Sequence, residues 1–211
     1  ARGGEEGCPA LALTDHNLIS GAVAFSQACR NLELRPLLGL EVDLLWADAA
    51  DRLVLLAMDG IGWANICRLS SLIHLEPERA GRLETVARFS EGLIAISGDQ
   101  HDPSGERLRR VSECFPGRLY AALSDPDGKS PWRMHQQERL AQSGRIPVVA
   151  VHPVFTLESG QAALQRTVAA IREIKPLGKL PPTAVAPAGT YFLGREEMAE
   201  RYEEFPEALA A

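Results

Sequence analysis

Carboxylate and imidazole side chains follow four of the six short apolar runs in the sequence. Asp15 and His16 follow the first run, and Glu41 falls at the end of the second. Asp99 follows the fourth run, and His152 directly follows the sixth. These side chains bind divalent metal ions and transfer protons in enzymes. The pattern predicts a metal or acid–base site to which His16, Glu41, Asp99 and His152 contribute ligands, with Asp15 supporting His16.

Each of these residues also has a structural explanation when it is taken alone. Asp15 is suited to capping a helix or closing a turn, and an isolated His16 or His152 is often a hydrogen-bonded polar group. Asp99 lies in the irregular segment DQHDPSG, which is typical of a solvated loop. Glu41 interrupts an apolar run, which favours burial beside a partner. The recurrence at strand ends therefore carries the prediction.

The elements that must position these residues alternate between apolar runs and helical patterns. The runs are apolar at nearly every position, which is typical of parallel strands covered on both faces. Helical spacing relates Leu164, Val168 and Ile171, and a last short helix around Tyr202 is stopped by Pro206. The alternation predicts an α/β domain whose ligands bind at the carboxyl ends of the strands. The six predicted strands are Ala10–Thr14, Pro36–Val42, Leu53–Met58, Gly92–Ser97, Arg118–Leu123 and Pro147–Val151.

Composition narrows the functional classes. The 211 residues suffice for one large domain, and the formal net charge of −6 disfavours a surface that itself binds nucleic acid broadly. No apolar run approaches the roughly 20 residues of a membrane span, and no signal peptide is visible. The four cysteines form no CxxC pair, which favours reduced thiols and a cytoplasmic protein. No dinucleotide-binding, P-loop or GxSxG motif occurs.

Several segments resemble one family in order along the chain. CPALALTDHNLISGAVAFSQACRNLELRPLLGLEV, RLVLLAMDGIGWANICRLSSLIHLEPE, FSEGLIAISG and REEMAERYEEFPEAL are similar to the polymerase and histidinol phosphatase (PHP) domain. The version they resemble lies at the N-terminus of bacterial DNA polymerase III alpha subunits and their error-prone relatives. The resemblance implies a distorted seven-stranded β/α barrel, here lacking its first strand, with residues 1–211 as a single domain.

The resemblance also implies a metal site for phosphoester hydrolysis, from which this sequence departs. His16 and Glu41 match family metal ligands, and Asp99 and His152 are weaker substitutes. Arg52 and Phe155 stand where ligands belong. An arginine would repel metal ions, and a phenylalanine has no lone pair to donate. The expected cofactor is Zn, Mn or Mg, or none.

Two functions follow from this resemblance. The preferred one is a degenerate PHP domain of a DNA polymerase alpha subunit, or of a shortened relative, with a structural and partner-docking role in DNA replication. Its expected partners are the polymerase domains of the same chain and a proofreading exonuclease subunit, with DNA contacted indirectly and no membrane. Its own phosphoesterase activity is expected to be weak or lost. The alternative is a metal-dependent phosphoesterase or 3′–5′ exonuclease.

Overall fold

Strands β2 (Arg35–Leu45) and β3 (Ala50–Ala57) form an antiparallel hairpin. In this computed structural model, which describes residues 2–47, 50–76, 78, 80–97, 104–181 and 184–211, side chains alternate along β2. Leu40, Val42 and Leu44 are buried in the core, whereas Glu41 and Asp43 lie on the opposite face. The period of two allows one strand to serve both the core and a site.

The described residues form seven strands, which besides β2 and β3 are β1 (Ala10–Leu13), β4 (Gly81–Arg82), β5 (Leu93–Ser97), β6 (Leu119–Leu123) and β7 (Val148–Ala150). Their order in the sheet is β1-β2-β3-β5-β6-β7, with the short β4 paired to β2. It curls into about half a barrel, and the mixed α/β fold is confirmed. The count of six strands was too low because the two-residue β4 was missed.

The prediction of a parallel sheet is wrong for the strands around β3. β3 runs antiparallel to both β2 and β5, whereas the pairs β1–β2, β2–β4 and β5–β6 are parallel. The connection between β2 and β3 is only four residues long. A connection of this length can close a hairpin, but a parallel crossover needs a dozen residues or more.

Helices flank the strands, and local sequence signals fix several of their ends. The Asp59 carboxylate caps the longest helix by accepting a hydrogen bond from the Gly62 amide at 2.8 Å. Pro206 begins a helix, so the expectation that it only stops one is wrong. The helices are α1 (Arg2–Glu5), α2 (Ala22–Asn31), α3 (Gly60–Leu75), α4 (Leu83–Arg88), α5 (Glu106–Cys114), α6 (Pro131–Gly144), α7 (Ala162–Glu173), α8 (Arg195–Arg201) and α9 (Pro206–Ala210), with 3-10 turns at Ser159–Gln161 and Leu177–Lys179.

Residue contacts divide the chain into two compact units. The first comprises Ala1–Ala122 and Gln137–Val149, and the second comprises Leu123–Gln136 and Ala150–Ala211. The first has a core of aliphatic side chains around Leu40, and the second buries Tyr202. The single domain over residues 1–211 stays a prediction.

The cysteines and the helices bear on the compartment and on membrane insertion. The four cysteines are free thiols; Cys29 is buried, whereas Cys8, Cys67 and Cys114 are partly exposed. Among the described residues, no helix has the length and apolar character that crossing a bilayer requires.

Candidate functional site

The segment after β1 places His16 beside Glu41. The Asn17 amide donates a hydrogen bond to the Glu41 carbonyl at 2.8 Å, and the Glu41 amide donates one to the Asp15 carbonyl at 3.1 Å. These two bonds continue the parallel pairing of β1 and β2 as an isolated bridge between His16 and Glu41. The pattern of strand ends predicts that His16 and Glu41 lie close together, and the structure brings them together.

Asn17 ends this pairing with a turn that α3 fixes from the other side. Its φ of 56° lies in the left-handed region, which asparagine tolerates better than most residues. The Asn17 carbonyl accepts hydrogen bonds from His74 Nε2 at 2.9 Å and from Ser70 Oγ at 3.4 Å. The backbone that carries His16 is therefore held on both sides.

Asp43 joins His16 and Glu41, although the sequence analysis did not select it. His16 Nε2 donates a hydrogen bond to Asp43 Oδ2 at 2.8 Å. Asp43 lies two residues after Glu41 on β2, so both carboxylates project from the same face of the strand. The strict alternation of apolar and acidic residues from Leu40 to Leu44 was the signal that could have found it.

Arg52 completes a group of four charged or ionisable side chains. It is paired with Asp43 across the β2–β3 hairpin. Its Nη1 lies 3.4 Å from Glu41 Oε2, and its Nε lies 3.9 Å from Asp43 Oδ1. The antiparallel direction of β3 explains this contact, because the start of β3 meets the carboxyl-terminal half of β2. We call His16, Glu41, Asp43 and Arg52 the Arg52 cluster.

The pKa values of the two carboxylates in the Arg52 cluster are shifted in opposite directions. Burial raises the pKa of Glu41, and the positive charges of Arg52 and His16 only partly oppose this shift. The hydrogen bond from His16 lowers the pKa of Asp43, with help from the charge of Arg52. Asp43 is thus held ionised as the partner of His16, while Glu41 is the carboxylate of the pair that takes up a proton more readily.

The Arg52 cluster does not fit a metal centre. Its two carboxylates already face the guanidinium of Arg52, and His16 directs Nε2 to Asp43. In the parts of the chain that the structure describes, no group of three or more His, Cys, Asp and Glu side chains is arranged to hold a metal ion. The guanidinium supplies the positive charge that a metal ion would otherwise bring to these carboxylates.

His152 lies in the second unit, where backbone groups surround its ring. Its Nε2 donates a hydrogen bond to the Tyr191 carbonyl at 2.8 Å, and its Nδ1 is buried. Burial lowers the pKa of His152 and keeps the ring neutral. Neither ring nitrogen is presented to an exogenous ligand in this arrangement. The metal-binding role of His152 stays a prediction.

Asp99, Asp15 and Phe155 do not belong to the Arg52 cluster as the structure describes it. Asp99 lies outside the described residues, so its role as a ligand stays a prediction. Asp15 is exposed, and the carboxylate that contacts His16 is that of Asp43; the supporting role of Asp15 also stays a prediction. Phe155 is half exposed in the second unit, where its amide donates to the Thr190 carbonyl at 2.9 Å.

Two bacterial DNA polymerases are similar in sequence to this chain over nearly its whole length. An error-prone DNA polymerase from Symbiobacterium thermophilum is 28% identical over 96% of this chain, which covers 21% of that protein. A DNA polymerase III subunit alpha from Escherichia coli O6:H1 is 29% identical over 97% of this chain, which covers 19% of that protein. The chain thus spans about a fifth of the length of these relatives.

A solved structure and a family model give the remaining comparisons. An amidohydrolase from Chromobacterium violaceum matches 71% of this chain and 78% of its own with a TM-score of 0.51. At 14% identity, that likeness concerns the fold alone. The family model described as the PHP domain matches residues 1–123, which is more than half of the chain. The chain therefore belongs to the PHP domain family.

Proposed function

We propose that this chain is a degenerate PHP domain of a bacterial replicative-type DNA polymerase alpha subunit, or of a shortened relative. Its role is structural and partner-docking, in DNA replication in the cytoplasm. Similarity to DNA polymerase III subunit alpha and to error-prone DNA polymerase over nearly the whole chain supports this assignment.

The observation that carries the proposal is the position of Arg52 in the Arg52 cluster. A guanidinium within 4 Å of both the Glu41 and Asp43 carboxylates satisfies the charge of a site that could otherwise attract a cation. A metal ion could bind these carboxylates only if the Arg52 side chain moved away from them. Because Arg52 is part of β3, its positive charge would still lie nearby and repel the ion. The cluster therefore favours a self-neutralised surface over a metal-dependent reaction.

The proposal includes the partners that such a domain would support. Polymerase domains of the same polypeptide, where these are fused, would pack on the domain, and a proofreading exonuclease subunit would dock on it. DNA would be contacted indirectly, through those partners. The net charge of −6 supports indirect contact, because DNA-binding surfaces are basic.

A metal-binding experiment tests the proposal. The 211-residue chain is equilibrated with Mn²⁺, Zn²⁺ or Co²⁺, freed of unbound ions and analysed for metal content. The expected result is no stoichiometric metal in the native chain. Arg52→His, which replaces the guanidinium by a possible ligand, is expected to bind Co²⁺ with a visible absorption band, whereas the control Arg52→Lys is expected to bind none. Stoichiometric metal in the native chain would refute the proposal.

One observation favours the second candidate, a metal-dependent phosphoesterase or 3′–5′ exonuclease using Zn, Mn or Mg. His16, Glu41 and Asp43 meet on one side of β2, and these residue types are metal ligands in hydrolases. A phosphodiester substrate and a 3′-labelled single-stranded oligonucleotide, each with added Mn²⁺, test this candidate. Turnover that is lost in His16→Ala would establish it, and the absence of turnover in the native chain would reject it.

A further inference from the structure

Helix α7 carries an aliphatic stripe on its exposed side. Leu164, Val168 and Ile171 follow the spacing i, i+4, i+7, and more than half of each residue is exposed. Ile174, directly after the helix, is 91% exposed. We call these four residues the α7 stripe. Scattered apolar residues are ordinary on a protein surface, but a contiguous apolar row marks an interaction site.

The helix that carries the α7 stripe buries very little of itself. Ala169 is its only buried residue, and the elements with which it makes most contact are the 3-10 turns Ser159–Gln161 and Leu177–Lys179. Helices of about 12 residues are marginal in water, and most of their stability in proteins comes from packing an apolar face. The face of α7 that could supply this packing is the one left uncovered.

Ile174 adds an independent indication at the end of the stripe. Its φ of 53° lies in the left-handed region, where glycine or asparagine usually ends a helix and a β-branched residue is strained. The Lys175 amide, which donates to the Ala170 carbonyl at 3.0 Å, fixes this conformation. An exposed isoleucine gains nothing locally that offsets the strain, whereas an isoleucine covered by a partner would.

Charge identifies the chemistry of the partner. Residues 162–180 contain four basic residues and one acidic residue, a net charge of +3, whereas the remaining residues have 18 basic and 27 acidic residues, a net charge of −9. Glu173, the acidic residue, lies 3.7 Å from both Arg172 and Lys175 and is thereby neutralised. Lys179 is exposed on the following turn. The carboxyl-terminal end of the α7 stripe is thus a basic region on an acidic protein.

We propose that the α7 stripe docks an amphipathic helix of a partner protein whose aliphatic face is flanked by aspartate and glutamate. The aliphatic face covers Leu164, Val168, Ile171 and Ile174, and the acidic flank meets Lys175 and Lys179. This inference rests on the docking role proposed above and names the surface and the partner chemistry for it.

A binding experiment with two designed peptides tests the inference. Both are fluorescent helical peptides with the same leucine stripe, one flanked by glutamates and the other by lysines. Binding to the 211-residue chain is followed by fluorescence anisotropy at two salt concentrations. The glutamate peptide is expected to bind about tenfold or more tightly than the lysine peptide, and more weakly at high salt. Equal binding of the two peptides, or binding of neither, would overturn the inference.

Substitutions then locate the binding surface. Val168→Asp is expected to weaken the glutamate peptide about tenfold or more, whereas Leu75→Asp, at a residue 81% exposed on α3, is expected to leave its affinity unchanged. Ile174→Gly is expected to weaken peptide binding, because it removes an aliphatic side chain from the α7 stripe. It is also expected to raise the Tm by about 2–4 °C, because glycine adopts the left-handed conformation without strain. Unchanged affinity in both Val168→Asp and Ile174→Gly would place binding elsewhere and overturn the inference.

Two further readouts separate the possible outcomes. Sedimentation of the native chain as a dimer that Val168→Asp dissociates would assign the α7 stripe to a second copy and overturn the partner helix. Metal content measured on the same samples reports on the Arg52 cluster alone. Metal in the native chain together with normal peptide binding would refute the proposed degeneracy and leave the docking surface standing.

Discussion

Removing the charge of Arg52 tests the account of the Arg52 cluster most directly. In Arg52→Gln, the carboxylates of Glu41 and Asp43 keep their positions on β2 but lose the positive charge beside them. Burial already raises the pKa of Glu41, and the charge of Arg52 opposes that shift. The pKa of Glu41 is therefore expected to rise further in the variant, and the free energy of unfolding at pH 7 is expected to fall.

The size of the effect follows from the distance of 3.4 Å between Arg52 Nη1 and Glu41 Oε2. Two unit charges at that distance interact by about 1 kcal/mol in a water-like dielectric and by about 5 kcal/mol at an effective dielectric constant of 20. The Arg52 side chain is 45% exposed, so the lower figure applies. The pKa of Glu41 is therefore expected to rise in the variant, because its ionised form loses the favourable interaction with Arg52.

The loss of stability is expected to depend on pH. The pKa of Glu41 is raised, so its contribution to stability is present below its ordinary pKa of 4.5 and is lost as the pH rises through the folded-state value. The pKa of Asp43 is lowered, so its contribution is present above the ordinary pKa of 3.8 and is lost as the pH falls through the folded-state value. Arg52 stabilises both carboxylates only while they are ionised. The difference between native chain and Arg52→Gln is therefore largest near pH 7 and shrinks in acid.

Urea unfolding at neutral and acidic pH measures the stability difference, and carbon-detected NMR of the Glu41 carboxyl measures its pKa. The expected loss near pH 7 is about 1 kcal/mol. Arg52→Lys keeps the positive charge and should therefore keep most of the stability of the native chain. This control separates the contribution of the charge from that of side-chain packing. A Glu41 pKa that stays constant or falls in Arg52→Gln, or an equal loss of stability at both pH values, would refute the electrostatic account.

Three further substitutions have expected outcomes. His16→Ala should raise the pKa of Asp43, measured by the same NMR titration, because it removes the hydrogen bond that is the largest cause of the lowered value. Tyr202→Phe should lower the free energy of unfolding by about 1 kcal/mol in urea, because the Val151 carbonyl loses its 2.7 Å hydrogen bond. Burial raises the pKa of Tyr202 to about 12, so this loss should be constant between pH 6 and pH 9 within about 0.5 kcal/mol. Leu40→Ala should cost about 2–5 kcal/mol in the same assay, because it opens a cavity in the fully buried core.

The sequence was sufficient to predict that His16 and Glu41 meet. An acid–histidine pair after one apolar run and an acidic residue in the next run indicate neighbouring parallel strands, and β1 and β2 pair in this way. The exact position of Glu41 was not predictable, because β2 extends to Leu45 and places Glu41 in the middle of the strand. The predicted strand ended at Val42, since the acidic residues beyond it read as the end of an apolar run.

The contact between Arg52 and the two carboxylates needed information that periodicity does not contain. Hydrophobic runs in β2 and β3 are compatible with parallel or antiparallel pairing, and only the four-residue connection distinguishes the two. An antiparallel hairpin brings Arg52 opposite Asp43, whereas a parallel crossover would have placed the two at opposite ends of their strands. Arg52 is therefore recognisable from the sequence as a departure from the family, but its partner Asp43 is not.

The α7 stripe shows a different limit of sequence patterns. The spacing of Leu164, Val168 and Ile171 correctly predicted a helix, because the period of 3.6 residues depends only on local geometry. Helices of globular proteins usually turn such an apolar face toward the core, yet these residues are exposed. Periodicity reports that one face of a helix is apolar, and it does not report whether the covering surface belongs to the same chain.

The alternation along β2 separates the residues that pack in the core from those that form the Arg52 cluster. Leu40, Val42 and Leu44 face the core, while Glu41 and Asp43 face the Arg52 cluster, so substitutions on the second face leave the packed face unchanged. Loss of a bound cation alone would leave two neighbouring carboxylates that repel each other. A guanidinium on the neighbouring strand removes that repulsion with a side chain that is always charged. Under the proposed function, the arginine that disfavours metal binding would also stabilise the strands, so the domain would keep its fold for docking without metal-dependent chemistry.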